Sequence, residues 1–149
     1  MKDVLVIMGS QSDMPVMESC IETLGKFELK YDVEVASAHR TPEKVIKIVS
    51  NAHEKYKVII AAAGKAAHLP GVIAGHTVVP VIGVPMKTSD LGGVDSLYSI
   101  VQMPKGVPVA TVAINGSMNA AILATQIIGV SEQAVRERLL AHKEEMKKA

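Results

Sequence analysis

Tryptophan is absent from the 149 residues, and the remaining aromatics are one phenylalanine and three tyrosines. A flavin is therefore disfavoured, because only Phe27, Tyr31, Tyr56 and Tyr98 are there to stack on an isoalloxazine ring. Cysteine occurs once, at Cys20, which excludes an intrachain disulfide. His39, His53 and His68 lack metal-ligand spacing and Cys20 has no partner, so no metal is expected. Lys plus Arg number 16 against 15 Asp plus Glu, a net charge of +1 that gives no electrostatic case for nucleic acid or an anionic membrane. No apolar run approaches the roughly 20 unbroken residues of a membrane span. No signal peptide, internal repeat or low-complexity linker is read in the sequence, and a cytoplasmic protein is the expectation.

Aliphatic residues are what the chain has in quantity. Its hydrophobic fraction is 48% and its mean hydropathy is +0.26, so the core is built from Val, Ile, Ala, Leu and Met. One domain over 1–149 has limited interior for so much apolar surface. The surplus predicts a subunit interface and hence a homo-oligomer.

Short apolar runs alternate with helical patterns. Strands are predicted at 3–8, 31–36, 58–63, 78–84 and 107–113, with Pro80 arguing that the fourth is irregular or at an edge. Helices are predicted after Asp13 and Pro15, closing at Gly25; after Thr41-Pro42; near 66–75, interrupted at Pro70-Gly71; near 94–102; and at 118–129. The 118–129 helix is apolar nearly all round and so expected to be covered on both sides. A last amphipathic helix, about 131–147, carries Val135, Leu139 and Met146, and is expected to reach a neighbouring subunit rather than its own sheet. This order predicts an α/β protein with a three-layer flavodoxin-like fold around a central parallel sheet.

In such a sheet, ligands bind at the carboxyl ends of the strands. Four turns there carry more polar chemistry than a turn requires: GSQSD at 9–13, SAHRTP at 37–42, GKAAHLPG at 64–71, and the loop from Lys87 to Gly93. The first is neither a Walker loop nor GxGxxG, but amides at a helix start with Ser10 and Ser12 can hold an anion or a ribose. Arg40 at a helix start opposes the macrodipole unless both share an anion such as a phosphate. His39 beside it is a side chain able to give and accept a proton at neutral pH. Taken singly, Asp13 also fits a helix cap, Arg40 a solvated side chain and His39 a structural histidine. Together they point to a phosphate-bearing small molecule and a histidine acid/base.

MGSQSD, SAHRTP, AAHLPG and DSLYSIVQMP, in this order along nearly the whole chain, resemble the N5-carboxyaminoimidazole ribonucleotide mutases of purine biosynthesis, within the class I aminoimidazole ribonucleotide carboxylase family. The resemblance implies an isomerase without cofactor or metal that moves a carboxylate from the exocyclic amine to ring carbon 4 through CO₂. His39 matches the catalytic histidine. Ser12, Ser37 and Arg40 would surround the phosphate and Asp13 the ribose, while Ser10, Gly64, His68 and Leu69 would line the base and carboxylate pocket. Residues 86–93 would form a lid. The resemblance further implies a homo-octamer in which the C-terminal helix crosses to a neighbour.

One departure concerns the turn after the third strand. Ala62-Ala63-Gly64-Lys65 stands where these mutases usually carry Gly-Ala-Gly-Gly. A sister class that carboxylates the aminoimidazole nucleotide directly with CO₂ has a basic residue at position 65, followed by Ser-Asn. Here Ala66, Ala67, His68 and Pro70 keep the mutase pattern, which favours the mutase over that carboxylase. A non-catalytic nucleotide-binding module is the remaining alternative. It would need Ser10, Asp13 and Arg40, but neither His39 nor a closing loop.

Overall fold

A strand whose every residue is apolar can only be stable with both faces covered, and this sheet is built that way. A computed structural model describes Met1–Ala149. Five strands, β1 (Val4–Met8), β2 (Tyr31–Val35), β3 (Val58–Ala63), β4 (Val81–Pro85) and β5 (Ala110–Thr111), pair in parallel in the order β2-β1-β3-β4-β5. Every residue of β1, β3 and β4 is buried. The order is flavodoxin-like.

Six helices cover the sheet: α1 (Met14–Lys26), α2 (Pro42–Val49), α3 (Leu69–His76), α4 (Val94–Val101), α5 (Ser117–Gly129) and α6 (Gln133–Met146). Alternate strand residues serve opposite layers. Val4, Val6, Met8, Ile60 and Val84 pack with Met17, Cys20 and Leu24 of α1 and with Ala120, Ala121 and Ala124 of α5. Leu5, Ile7, Ile59 and Ala61 face Val45 and Val49 of α2, Ile73 of α3 and Ile100 of α4. Each fully buried aliphatic side chain contributes roughly 1.5–3 kcal/mol. Gly83 in β4 allows α4 its close approach, because a Cβ there would lie 2.3 Å from Ile100 Cγ2. Cys20 is sealed in the α1 layer, and burial pushes its thiol up to about 12.

Several boundaries differ from the sequence reading. β4 begins after Pro80 and lies between β3 and β5, so Pro80 marks neither an edge nor an irregularity; its carbonyl accepts from Ile59 N at 2.9 Å. The edge strands are β2 and β5, and only two of the seven residues predicted for β5 pair regularly; Pro108, just before them, has no N–H to donate. α1 runs through Gly25 to Lys26 and ends in a Schellman turn. Glu28 is left-handed at φ 58, Glu28 N bonds Gly25 O, and Leu29 N bonds Leu24 O. α3 starts at Leu69, later than predicted, with Pro70 in its first turn: the proline opens the helix and does not interrupt it. Gly71 answers to Met103, whose Sδ would lie 2.9 Å from a Cβ at that position.

α6 packs along α5 of its own chain through Val135 and Leu139, and Gly129 makes room for the Leu139 side chain. Arg138 of α6 also meets the end of α1, bonding Phe27 O at 3.3 Å and pairing with Glu28 at 2.6 Å. α5 is thereby covered by the sheet, α1 and α6, although Met118, Asn119 and Gln126 stay exposed. At the amino edge of the sheet, Lys57 bridges Asp3 (2.9 Å) and Glu132, joining the first and third strand segments to the start of α6. Burial pushes Asp3 up, but the Lys30 amide and the Lys57 ammonium outweigh it and hold the carboxyl below its ordinary range. No helix is long and apolar enough to cross a membrane.

Candidate active site

All strands run the same way, so the turns that leave β1, β2, β3 and β4 meet at one edge. They enclose a cavity of about 660 Å³. Ser10, Ser12, Asp13, Ser37, His39, Arg40, Gly64, His68 and Leu69, the residues singled out from the sequence, all line it.

The first turn is organised by its serines. Ser10 Oγ accepts from Ser12 N (3.2 Å) and lies 2.8 Å from Ser12 Oγ, capping a single 3-10 turn at Gln11–Asp13. Asp13 precedes α1 without capping it through its side chain, which leaves the carboxylate to the cavity side. Burial pushes Asp13 up, against the Ser10 amide and the charge of Arg40.

The second turn is closed on itself. Ser37 N donates to Thr41 Oγ1 (2.8 Å) and Thr41 N donates to Ser37 O (2.9 Å). Thr41 therefore binds backward across the turn; it makes no side-chain cap on α2, contrary to the expectation for a Thr-Pro helix start. Ser37 Oγ accepts from Arg40 N (3.1 Å), and Arg40 Nη2 donates to Gly9 O (3.0 Å). That last bond fixes the guanidinium between the first two turns, and so sets a cation beside the Ser10, Ser12 and Asp13 turn.

His39 Nε2 and His68 Nδ1 are 2.7 Å apart, with the rings perpendicular at 89°. One ring must donate and the other accept, so the two tautomers are linked: placing the hydrogen on one nitrogen empties the other. This contact spans 29 residues of sequence and joins the β2–α2 turn to the β3–α3 turn. Nothing in the local pattern around either histidine signals it.

The fourth wall is the loop after β4. Met86, Lys87, Thr88 and Ser89 line the cavity, whereas Asp90 to Gly93 lie beyond it. The family resemblance implies a lid over 86–93 but says nothing of its supports. Asn115, from the turn before α5, accepts from Lys87 N at 2.9 Å. Asp95 accepts from Thr88 Oγ1 at 2.6 Å, a bond that with neighbouring amides holds its carboxyl below the ordinary range. Ser96 Oγ, fully buried, reaches Met86 O (2.6 Å) and Gly93 O (2.9 Å). A run of Thr, Ser, Asp and Gly between strand and helix is the available sign of such bonding.

The arrangement brings Ser12, Ser37 and Arg40, the Asp13 carboxylate and the hydrogen-bonded His39–His68 pair onto one cavity. A family model described as AIR carboxylase matches residues 3–149. The N5-carboxyaminoimidazole ribonucleotide mutase of Thermotoga maritima is 53% identical over 149 residues, covering 99% of this chain and 87% of that protein. A phosphoribosylaminoimidazole carboxylase of Candida glabrata is 60% identical over 126 residues, which are 84% of this chain and 22% of that longer protein. Among solved structures, Treponema denticola PurE superposes with a TM-score of 0.89 at 28% identity, covering 97% of this chain and 91% of that one.

Proposed function

The chain belongs to the AIR carboxylase family, and from that premise we propose that it is an N5-carboxyaminoimidazole ribonucleotide mutase of purine biosynthesis. It converts N5-carboxyaminoimidazole ribonucleotide reversibly to the 4-carboxy isomer. The observation that carries this reading is that His39, His68 and Arg40 line one cavity, in a chain 53% identical to a mutase over 99% of its length. The carboxylase name of the C. glabrata protein belongs to a polypeptide of which this chain matches 22%, so it does not favour direct use of CO₂.

In the mechanism we infer, the phosphate rests on Arg40, Ser12 and Ser37, and Asp13 accepts from the ribose hydroxyls. The carbamate N–C bond breaks, CO₂ leaves, and protonated His39 gives its proton to the exocyclic nitrogen. Ring carbon 4, made nucleophilic by that amine, attacks the CO₂ held against Ser10, Gly64, His68 and Leu69. Neutral His39 then removes the hydrogen from carbon 4, which restores aromaticity and returns the imidazolium. Holding CO₂ beside its acceptor gives the recapture an effective-concentration advantage.

The decisive assay offers the protein the carbamate nucleotide in CO₂-purged buffer and, separately, the aminoimidazole nucleotide with CO₂. Fast 4-carboxy product from the first and slow product from the second is expected; the reverse ratio would transfer the chain to the CO₂-using class.

We further propose a cytoplasmic homo-octamer, with the C-terminal helix against a neighbour. Supporting this are Leu91, Val94, Tyr98 and Val101, left exposed along α4 and the loop before it, and a groove of about 320 Å³ between α5 and α6 lined by Ile122, Leu139, Leu140 and Met146. Light scattering that returned the 15.8 kDa of a single chain would sink the assembly.

A further inference from the structure

Lys65 occupies a backbone position that disfavours it. Its φ is +56, in the left-handed region where a Cβ is strained and glycine is at ease. Strain of this kind at a cavity invites a functional account of the side chain that tolerates it. From the β3–α3 turn, the Lys65 ammonium reaches Asp90 Oδ2, 3.3 Å away, at the tip of the adjacent loop after β4, beside the cavity that Lys65 lines.

That loop is held very unevenly. Its shoulders are fastened from inside. Buried Ser96 bonds the carbonyls of both Met86 and Gly93, and Thr88 bonds Asp95 while accepting from Gly93 N at 3.0 Å. The tip, 89–91, has a single side-chain bond to the rest of the protein, the Asp90–Lys65 pair. Glycines with positive φ at 92 and 93 lie just behind it. The result is a flap with fixed hinges and one catch. Both charged groups are about three-quarters exposed, at 72% and 76%, so the catch is weak and screened by salt. A contact that must open to admit each nucleotide cannot be strong.

We propose that the Lys65–Asp90 ion pair is the latch that holds this flap against the β3–α3 turn, so that Met86 to Ser89 stay closed on the cavity and keep released CO₂ beside its acceptor. The proposal rests on the mutase reading above. CO₂ is small and uncharged, and no side chain can retain it by charge. Retention is therefore a matter of enclosure. With the latch broken, a larger share of CO₂ escapes before carbon 4 attacks, and aminoimidazole nucleotide is left behind.

Two measurements test it. In the first, carbamate nucleotide labelled with ¹³C in its carboxylate is turned over in buffer containing unlabelled CO₂, and the label remaining in the product is determined. Lys65→Gly and Asp90→Asn are expected to raise the lost fraction up to roughly fivefold, the range open to an exposed pair. The exchanged pair Lys65→Asp/Asp90→Lys is expected to return it toward wild type. High salt raises the loss in wild type and leaves Lys65→Gly unchanged. Label retention at the wild-type level in both single variants overturns the proposal.

The second measurement needs no turnover. Amide hydrogen exchange in a peptide covering 87–93 should be roughly two- to fivefold faster in each single variant. Unchanged protection overturns the latch, whatever the activity. A wild-type protein that made no product from the carbamate nucleotide would remove the mutase reading, and the exchange data would still decide whether the pair holds the loop.

Discussion

Replacing His39 by asparagine is expected to lower kcat by about 10²–10⁴, the usual worth of a positioned acid/base, or about 3–5 kcal/mol of barrier. Asparagine is close to imidazole in reach and still offers His68 Nδ1 a hydrogen bond in place of the 2.7 Å contact. It cannot carry a proton at neutral pH. Both halves of the reaction suffer, because one needs a proton delivered to nitrogen and the other needs one taken from carbon. Nucleotide affinity is expected to stay within about threefold, since the phosphate corner lies on other residues. Titration calorimetry with the nucleotide, beside steady-state turnover, separates the two quantities. A variant that turns over within threefold of wild type removes His39 from proton transfer and revives the binding-module reading.

Arg40→Met gives the opposite split. The thioether keeps much of the stem and loses the charge, so KM for the nucleotide should rise by roughly 10- to 100-fold, the range for a charge-assisted hydrogen bond to phosphate. kcat should change far less. Arg40→Lys recovers only part of the loss, because an ammonium cannot span Gly9 O and Ser37 Oγ as the guanidinium does. The pH profile gives a second signature. Arg40 opposes the burial that pushes Asp13 up, so its removal raises Asp13 further and moves the acidic limb of kcat/KM to higher pH. Inorganic phosphate, competitive against wild type, should lose its effect on the variant. An unchanged KM together with undiminished phosphate inhibition would place the phosphate elsewhere.

What the chain makes legible is whatever repeats or sits in a turn. The unbroken apolar runs of β1 and β3 announce a sheet covered on both faces, and parallel pairing brings Ser10, Ser37 and Gly64 to one edge whatever the details. Boundaries set by long-range packing are not so readable. α1 runs one residue past the glycine expected to close it and ends in a turn built on the left-handed Glu28, with which Arg138 from the far end of the chain pairs. Pro80 reads as an edge signal, yet it lies outside the paired residues of an interior strand, where its missing N–H costs nothing. At the site, single residues are visible and their couplings are not. The His39–His68 contact, the Ser96 clamp and the reach of Lys65 to Asp90 join residues through space, and no local period encodes them.

The lone cysteine has a practical consequence. Cys20 is fully buried on the face of α1 that packs on the sheet, and the same burial that raises its thiol leaves almost no thiolate to react. A thiol reagent therefore reaches it only when α1 parts from the sheet, and the chain holds no second sulfhydryl to confuse the signal. At saturating reagent the labelling rate equals the opening rate, and at low reagent it reports the opening equilibrium. The domain thus contains its own stopwatch for unfolding in native buffer, with no denaturant and no extrapolation.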